Sequence, residues 1–172
     1  MNQKMYRALR NAKFAEILQR SEYKLKNEYV SNYQFRLHES KTKFETYKIN
    51  TQYDAYRFIK ANLDDTQHYQ ETFKILFLNR ANEVIGFTNL ASGTLTACPI
   101  DIRMILKYCV ESLATGIILS HNHPSGNLEP SQADICVTER IRDVLEKMDV
   151  TVCDHIITTK NGFISMTAKG FI

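Results

Sequence analysis

The sequence predicts an α/β (α+β) fold built on a mixed β-sheet flanked by helices. Two compact apolar runs, Thr72–Leu78 and Thr115–Ser120, are long enough for buried strands and too short for helices. Stretches with helical spacing alternate with them, over 51–63, 99–113 and 131–148, in the manner of layered α/β domains. A further extended run, Val150–Thr159, leads into Asn161-Gly162, a strong hairpin signal, and then Phe163–Ser165. A chain of 172 residues, 44% of them hydrophobic, can close one domain around a real core but not two comfortable ones.

Taken in order, Lys4 to Arg20 alternates apolar and basic groups at helical spacing, with Leu9, Ala12, Ile17 and Leu18 as its buried stripe. This segment reads as a docking helix or an arm. Tyr29, Ser31, Tyr33, Phe35 and Leu37 alternate as a strand would, and Phe44, Thr46 and Tyr47 suggest a second short extended piece. Thr51–Leu63 is a helix with Tyr53, Tyr56, Ile59 and Leu63 on one side, and 62–67 supplies a surface loop. After the Thr72–Leu78 strand, 79–82 forms a turn and Val84–Asn89 the return strand. Ser92-Gly93 breaks the pattern ahead of Thr94-Leu95-Thr96. Pro99 suits the first turn of a helix ending near Leu113, with Asp101 at its positive end. Thr115–Ser120 delivers two histidines at its C-terminal end, and Ser131 starts a helix through about Met148.

Charge divides the chain near residue 48. Residues 1–48 hold eleven Lys/Arg against five Glu, whereas the remainder is net acidic. This predicts a basic accessory segment over 1–48 and a functional domain over 49–172. Such asymmetry can mark a nucleic-acid contact, although a solvated helix face is the commoner reading. No apolar run approaches the ~20 residues that span a bilayer, and the N-terminus lacks a signal-type apolar block, so a cytoplasmic protein without a membrane partner is expected. Cys98, Cys109, Cys136 and Cys153 are scattered with no CxxC pair, which argues for reduced, mostly buried thiols rather than a disulfide framework or thiolate metal site.

The chemistry concentrates in Ser120-His121-Asn122-His123-Pro124-Ser125-Gly126 and the following Ser131-Gln132-Ala133-Asp134. Side chains at i and i+2 of an extended segment share a face, so His121 and His123 can reach one ion together, with Asp134 as a third ligand. Two imidazoles and a carboxylate suit zinc, and three protein ligands leave a position open for catalysis. Glu71, at the mouth of the Thr72–Leu78 strand, is a candidate general base or simply a solvated strand end. Ser131 is a candidate oxyanion donor. Ser131-x-x-Asp134 is equally a helix-capping pattern. His155, after Asp154 on the next strand, is either a packed histidine or one that supports a ligand.

These residues resemble the signature of the RadC-type proteins, the bacterial branch of the JAMM (MPN-plus) zinc metalloprotease family, whose fold is related to the cytidine deaminases. The similarity runs from about Thr51 to the C-terminus and takes in Phe77-Leu78, Gly93-Thr94-Leu95, Asp154-His155 and Phe163-Ile164-Ser165. The resemblance implies a Zn2+ ion on His121, His123 and Asp134, with Ser131 as the motif serine and Glu71 as the upstream acid. It further implies a zinc-activated water that hydrolyses a peptide or isopeptide bond. The helix-hairpin-helix module of many RadC proteins has no counterpart in residues 1–48, nor do the ubiquitin-cradling insertions of eukaryotic relatives. Rival readings are a nucleic-acid-associated repair factor acting through residues 1–48 and a non-catalytic MPN-type scaffold. Either is compatible with an oligomer. A zinc deaminase would need His-x-Glu and a later Pro-Cys-x-x-Cys, and neither occurs.

Overall fold

The two apolar runs lie side by side at the centre of a six-stranded mixed sheet. The computed structural model describes residues 36–37, 47–61, 70–92 and 100–172, and for 36–37 and 91–92 the backbone alone. The strands are β1 (Arg36–Leu37), β2 (Thr72–Leu78), β3 (Val84–Ser92), β4 (Gly116–Asn122), β5 (Thr151–Thr159) and β6 (Gly162–Ser165). The helices are α1 (Gln52–Ala61), α2 (Ile102–Ser112) and α3 (Gln132–Glu146). Strand order is β1-β3-β2-β4-β5-β6; β4 and β5 are parallel and every other pair is antiparallel. The expected helix over 4–20, the extended residues from Tyr29 to Phe35, Phe44, Thr46, the loop 62–67, Gly93–Thr96 and Pro99 all lie outside the described residues.

All seven residues of β2 and all seven of β4 are buried, which explains their near-continuous apolar runs: both faces of the sheet are covered. Alternation then sorts the side chains. Phe73, Ile75 and Phe77 join Ile117 and Leu119 in one core with Ile105 and Cys109 of α2 and Ile141 and Leu145 of α3. Leu76, Leu78, Ile118 and Ile156 join Ala55 and Ile59 of α1 in a second core on the other face. Gly116, at the start of β4, packs closely against β5: a Cβ there would meet Cys153 Sγ at 3.0 Å, and that side chain would have to give way.

The β2–β3 turn is held by Asn79, whose Oδ1 accepts the Ala81 and Glu83 amides at 2.9 and 3.0 Å. Asp101 stands at the positive end of α2 as its N-cap, accepting the Arg103 amide at 3.0 Å. Two strands run further than the apolar pattern suggested. β3 continues to Ser92 because β2 pairs with it throughout, and β4 continues through His121 and Asn122 because β5 does the same. The thiols also depart from expectation: Cys109 is buried, but Cys136 and Cys153 are exposed. Cys136 lies off the buried stripe of α3, and Cys153 is the third residue of β5, ahead of the strand's buried positions. Burial pushes the Cys109 thiol up to about 12, so it is inert at neutral pH.

Candidate metal centre

The parallel pairing of β4 with β5 sets the site. His121 is the last-but-one residue of β4, and the ladder runs one rung beyond the strand, with the His123 amide donating to the Thr158 carbonyl at 2.8 Å. The chain then turns sharply: the Gly126 amide donates to the His123 carbonyl at 3.1 Å, Pro124 and Ser125 sit at the corner, and Gly126 takes φ +83°. This turn returns the Asn127 carbonyl to His123, where it accepts from Nδ1 at 2.7 Å and orients the ring.

Ser131 caps α3. Its hydroxyl oxygen accepts the Asp134 amide at 3.2 Å while its own amide donates to Asp134 Oδ2 at 2.7 Å, the reciprocal pattern of a capping box. The cap therefore holds the Asp134 carboxylate against the end of β4. His121 Nε2 lies 3.3 Å from Asp134 Oδ1, and His123 Nε2 lies 3.7 Å from Oδ2. His121, His123 and Asp134 each offer one ligand atom, and these atoms all lie within 4.8 Å of one another. The capping box is thus what brings the carboxylate to the histidines. The Ser131 hydroxyl also donates to Asp134 Oδ2 at 2.6 Å.

His155 lies on β5 opposite Leu119, fully buried, with Nε2 2.7 Å from His121 Nδ1. On its other side Nδ1 is 2.7 Å from Thr138 Oγ1, one turn below Asp134 on α3. Sequence reading left His155 undecided and missed Thr138, whose only signal was a hydroxyl on the same helix stripe as Asp134. Burial, with the neighbouring His121, holds His155 well below the ordinary imidazole range, so it is neutral. The Asp134 carboxyl is pushed up by burial, but bonds and charge from His121 and His123, with the Ser131 hydroxyl, outweigh this and keep it ionised. His123 is raised, first by the neighbouring Asp134 carboxylate, with the Asn127 carbonyl and the charge of Glu71 adding to it against desolvation. Glu71 is half-buried just ahead of β2, whose Phe73 pairs with His121.

Counting protons along this network decides which nitrogens are free. The Thr138 hydroxyl spends its single proton on the Asp134 carbonyl at 2.5 Å, so it accepts from His155 Nδ1–H. Neutral His155 must then accept at Nε2, from His121 Nδ1–H. His123 donates its Nδ1–H to Asn127. The remaining Nε2 atoms of His121 and His123 face each other at 2.8 Å beside the Asp134 carboxylate. Two lone pairs and an anion converging on one point repel unless a cation lies among them. A proton on His123 is one such cation; a divalent metal is a better one. This donor set fits zinc.

A model of the RadC-like JAB domain matches residues 49–171, well over half of the chain. The chain belongs to the RadC-like JAB domain family. The mixed sheet with helices on both faces is the JAB/MPN fold that the family resemblance implied. Among relatives, the UPF0758 protein of Flavobacterium johnsoniae is 39% identical over 123 residues, covering 72% of this chain and 53% of that protein. A UPF0758 protein of Clostridium botulinum (strain Alaska E43) is 47% identical over 103 residues, covering 60% and 45% respectively. One from Legionella pneumophila (strain Corby) is 39% identical over 120 residues, covering 70% and 52%. The chain spans about half the length of these curated relatives. Among the described residues, no helix is long and apolar enough to cross a membrane.

Proposed function

We propose that this RadC-like JAB domain is a zinc-dependent hydrolase of the metallopeptidase or isopeptidase type. The observation that carries the reading is the convergence of His121 Nε2, His123 Nε2 and the Asp134 carboxylate, with both outward ring nitrogens committed to acceptors. His121, His123 and Asp134 would hold the zinc, which would supply Lewis acidity and make water a nucleophile at neutral pH. Glu71 takes the proton of the attacking water at its carboxylate and returns it to the leaving nitrogen. It stands just ahead of β2, whose Phe73 lies opposite His121, which supports a carboxylate near the site. Ser131 donates to the oxyanion that develops as the carbonyl is attacked. To do so its hydroxyl turns away from Asp134, whose Oδ2 keeps the backbone amide of Ser131 as a donor. The Asn127 and Thr138–His155 bonds hold the two rings, so neither ligand has to reorganise.

The test separates metal from catalysis. The full chain should carry one zinc by elemental analysis. Glu71→Gln keeps the side chain's size and removes its basicity, so zinc should stay while turnover of a fluorogenic peptide or isopeptide library falls by ~10²–10⁴-fold. A zinc-loaded Glu71→Gln protein turning over at the wild-type rate would place the base elsewhere. A wild-type protein that takes up no zinc would end the reading.

A further inference from the structure

Asn122 lies between the two histidines, and alternation sends its side chain off the face that carries them. It is 5% exposed and spans the segment around Glu71. Its Oδ1 accepts the Thr72 amide at 2.7 Å, and its Nδ2 donates to the Gln70 carbonyl at 2.9 Å. Glu71 is the residue between those two backbone groups. Phe73↔His121 is the last residue pair of the β2–β4 register, so Asn122 stands at the end of that ladder, beside the segment that carries Glu71. The side-chain amide of Asn122 thus ties the end of β4 to the backbone on both sides of Glu71.

We propose that Asn122 is a positioning residue that fixes Glu71 over the metal ligands. The inference rests on the proposed base role of Glu71 and adds a cause for its placement. Only a side chain with one acceptor and one donor in a single plane can bind both flanking groups, and only a residue on the ligand strand can tie the base to the same rigid frame as the histidines. A fixed carboxylate matters because a displacement of about 1 Å at a reacting group can cost ~10²-fold in rate. The residue that separates the ligands in sequence is therefore also the one that sets the distance from the ligands to the base.

The test uses cobalt(II) in place of zinc in the full chain, because its visible spectrum reports the metal's surroundings without a substrate. Glu71→Gln should alter that spectrum by changing what faces the open coordination position. Asn122→Ala should bind cobalt with the same stoichiometry, reproduce the Glu71→Gln change, and lose exchange protection at the Thr72 amide. The double variant should add nothing further, since residues acting through one another are not additive. Spectral changes that add, or an Asn122→Ala spectrum identical to wild type, would overturn the proposal while leaving the hydrolase reading intact. No cobalt on the wild type, or a Glu71→Gln spectrum identical to wild type, would remove the base role and the proposal with it. If Asn122→Ala does not fold, the wild-type protein still decides. Its Asn122 side-chain amide protons should exchange at least ~10-fold more slowly than those of exposed Asn161, and equal rates would overturn the clamp.

Discussion

The buried stripe of α3 reads Asp134, Thr138, Ile141, Leu145, and its two halves face the same sheet on different terms. The second half is apolar: Ile141 and Leu145 pack in the core of Phe73, Phe77, Ile117 and Leu119. Each such side chain contributes roughly 1.5–3 kcal/mol by leaving water, whatever else is bound. The first half is polar: Asp134 and Thr138 meet His121 and His155, which are 1% and 0% exposed. A buried hydrogen bond nets only ~0.5–1.5 kcal/mol, and desolvating the groups that make it is costly. Leu119 and His155 are direct neighbours across β4 and β5, so the boundary between the two regimes is one rung wide. The apolar half is self-sufficient, whereas the polar half gathers a donor set that could hold a cation.

Truncating the apolar half should cost most. Phe77→Ala removes a fully buried ring that meets Tyr108 edge-on at 6.3 Å, and urea denaturation of the metal-free chain should show a loss of ~3–5 kcal/mol. Zinc stoichiometry of the folded fraction should be unchanged.

At the polar half the dependence reverses. Zinc at 100 times its dissociation constant should stabilise the wild type by ~2.7 kcal/mol, and Asp134→Ala should abolish that increment in a thermal melt. An increment that survived in Asp134→Ala would place the metal elsewhere.

Thr138→Val sharpens the comparison, because it keeps the shape of the stripe and removes the acceptor that fixes His155. Competition with a chromogenic chelator should show zinc affinity reduced ~10–100-fold, with Thr138→Ser restoring it. Equal affinities in all three proteins would mean that the relay has no part in holding the ligands.

The smallest effect belongs to the cap. Ser131→Ala should destabilise the metal-free chain by ~1 kcal/mol in urea, and Ser131→Gly by only a few tenths.

Much of this was legible in the sequence where local chemistry governs. The runs Thr72–Leu78 and Thr115–Ser120 were strands because continuous apolar residues need cover on both faces. The i, i+2 spacing did bring the imidazoles together, and Ser131-x-x-Asp134 did form a capping box. Reading failed where polarity misled it. The apolar run ends at Ser120, yet His121 and Asn122 beyond it are also buried strand residues, because their polar atoms find partners on β2, β5 and α3. The thiols failed for the opposite reason: Cys136 and Cys153 read as buried from residue type, while their positions on helix and strand face outward.

By itself the sequence determined the central strands, the helix starts and the identity of three metal-ligand candidates. Each of these depends on neighbours within a few residues, where spacing and backbone preference act directly. Only the tertiary structure decided that His155 supports His121 across 34 residues, that Thr138 closes the relay, and that Asn122 reaches back to the two sides of Glu71. Those bonds exist because β4 sits between β2 and β5 in one particular register, and a shift of one residue would turn every one of these side chains to the other face.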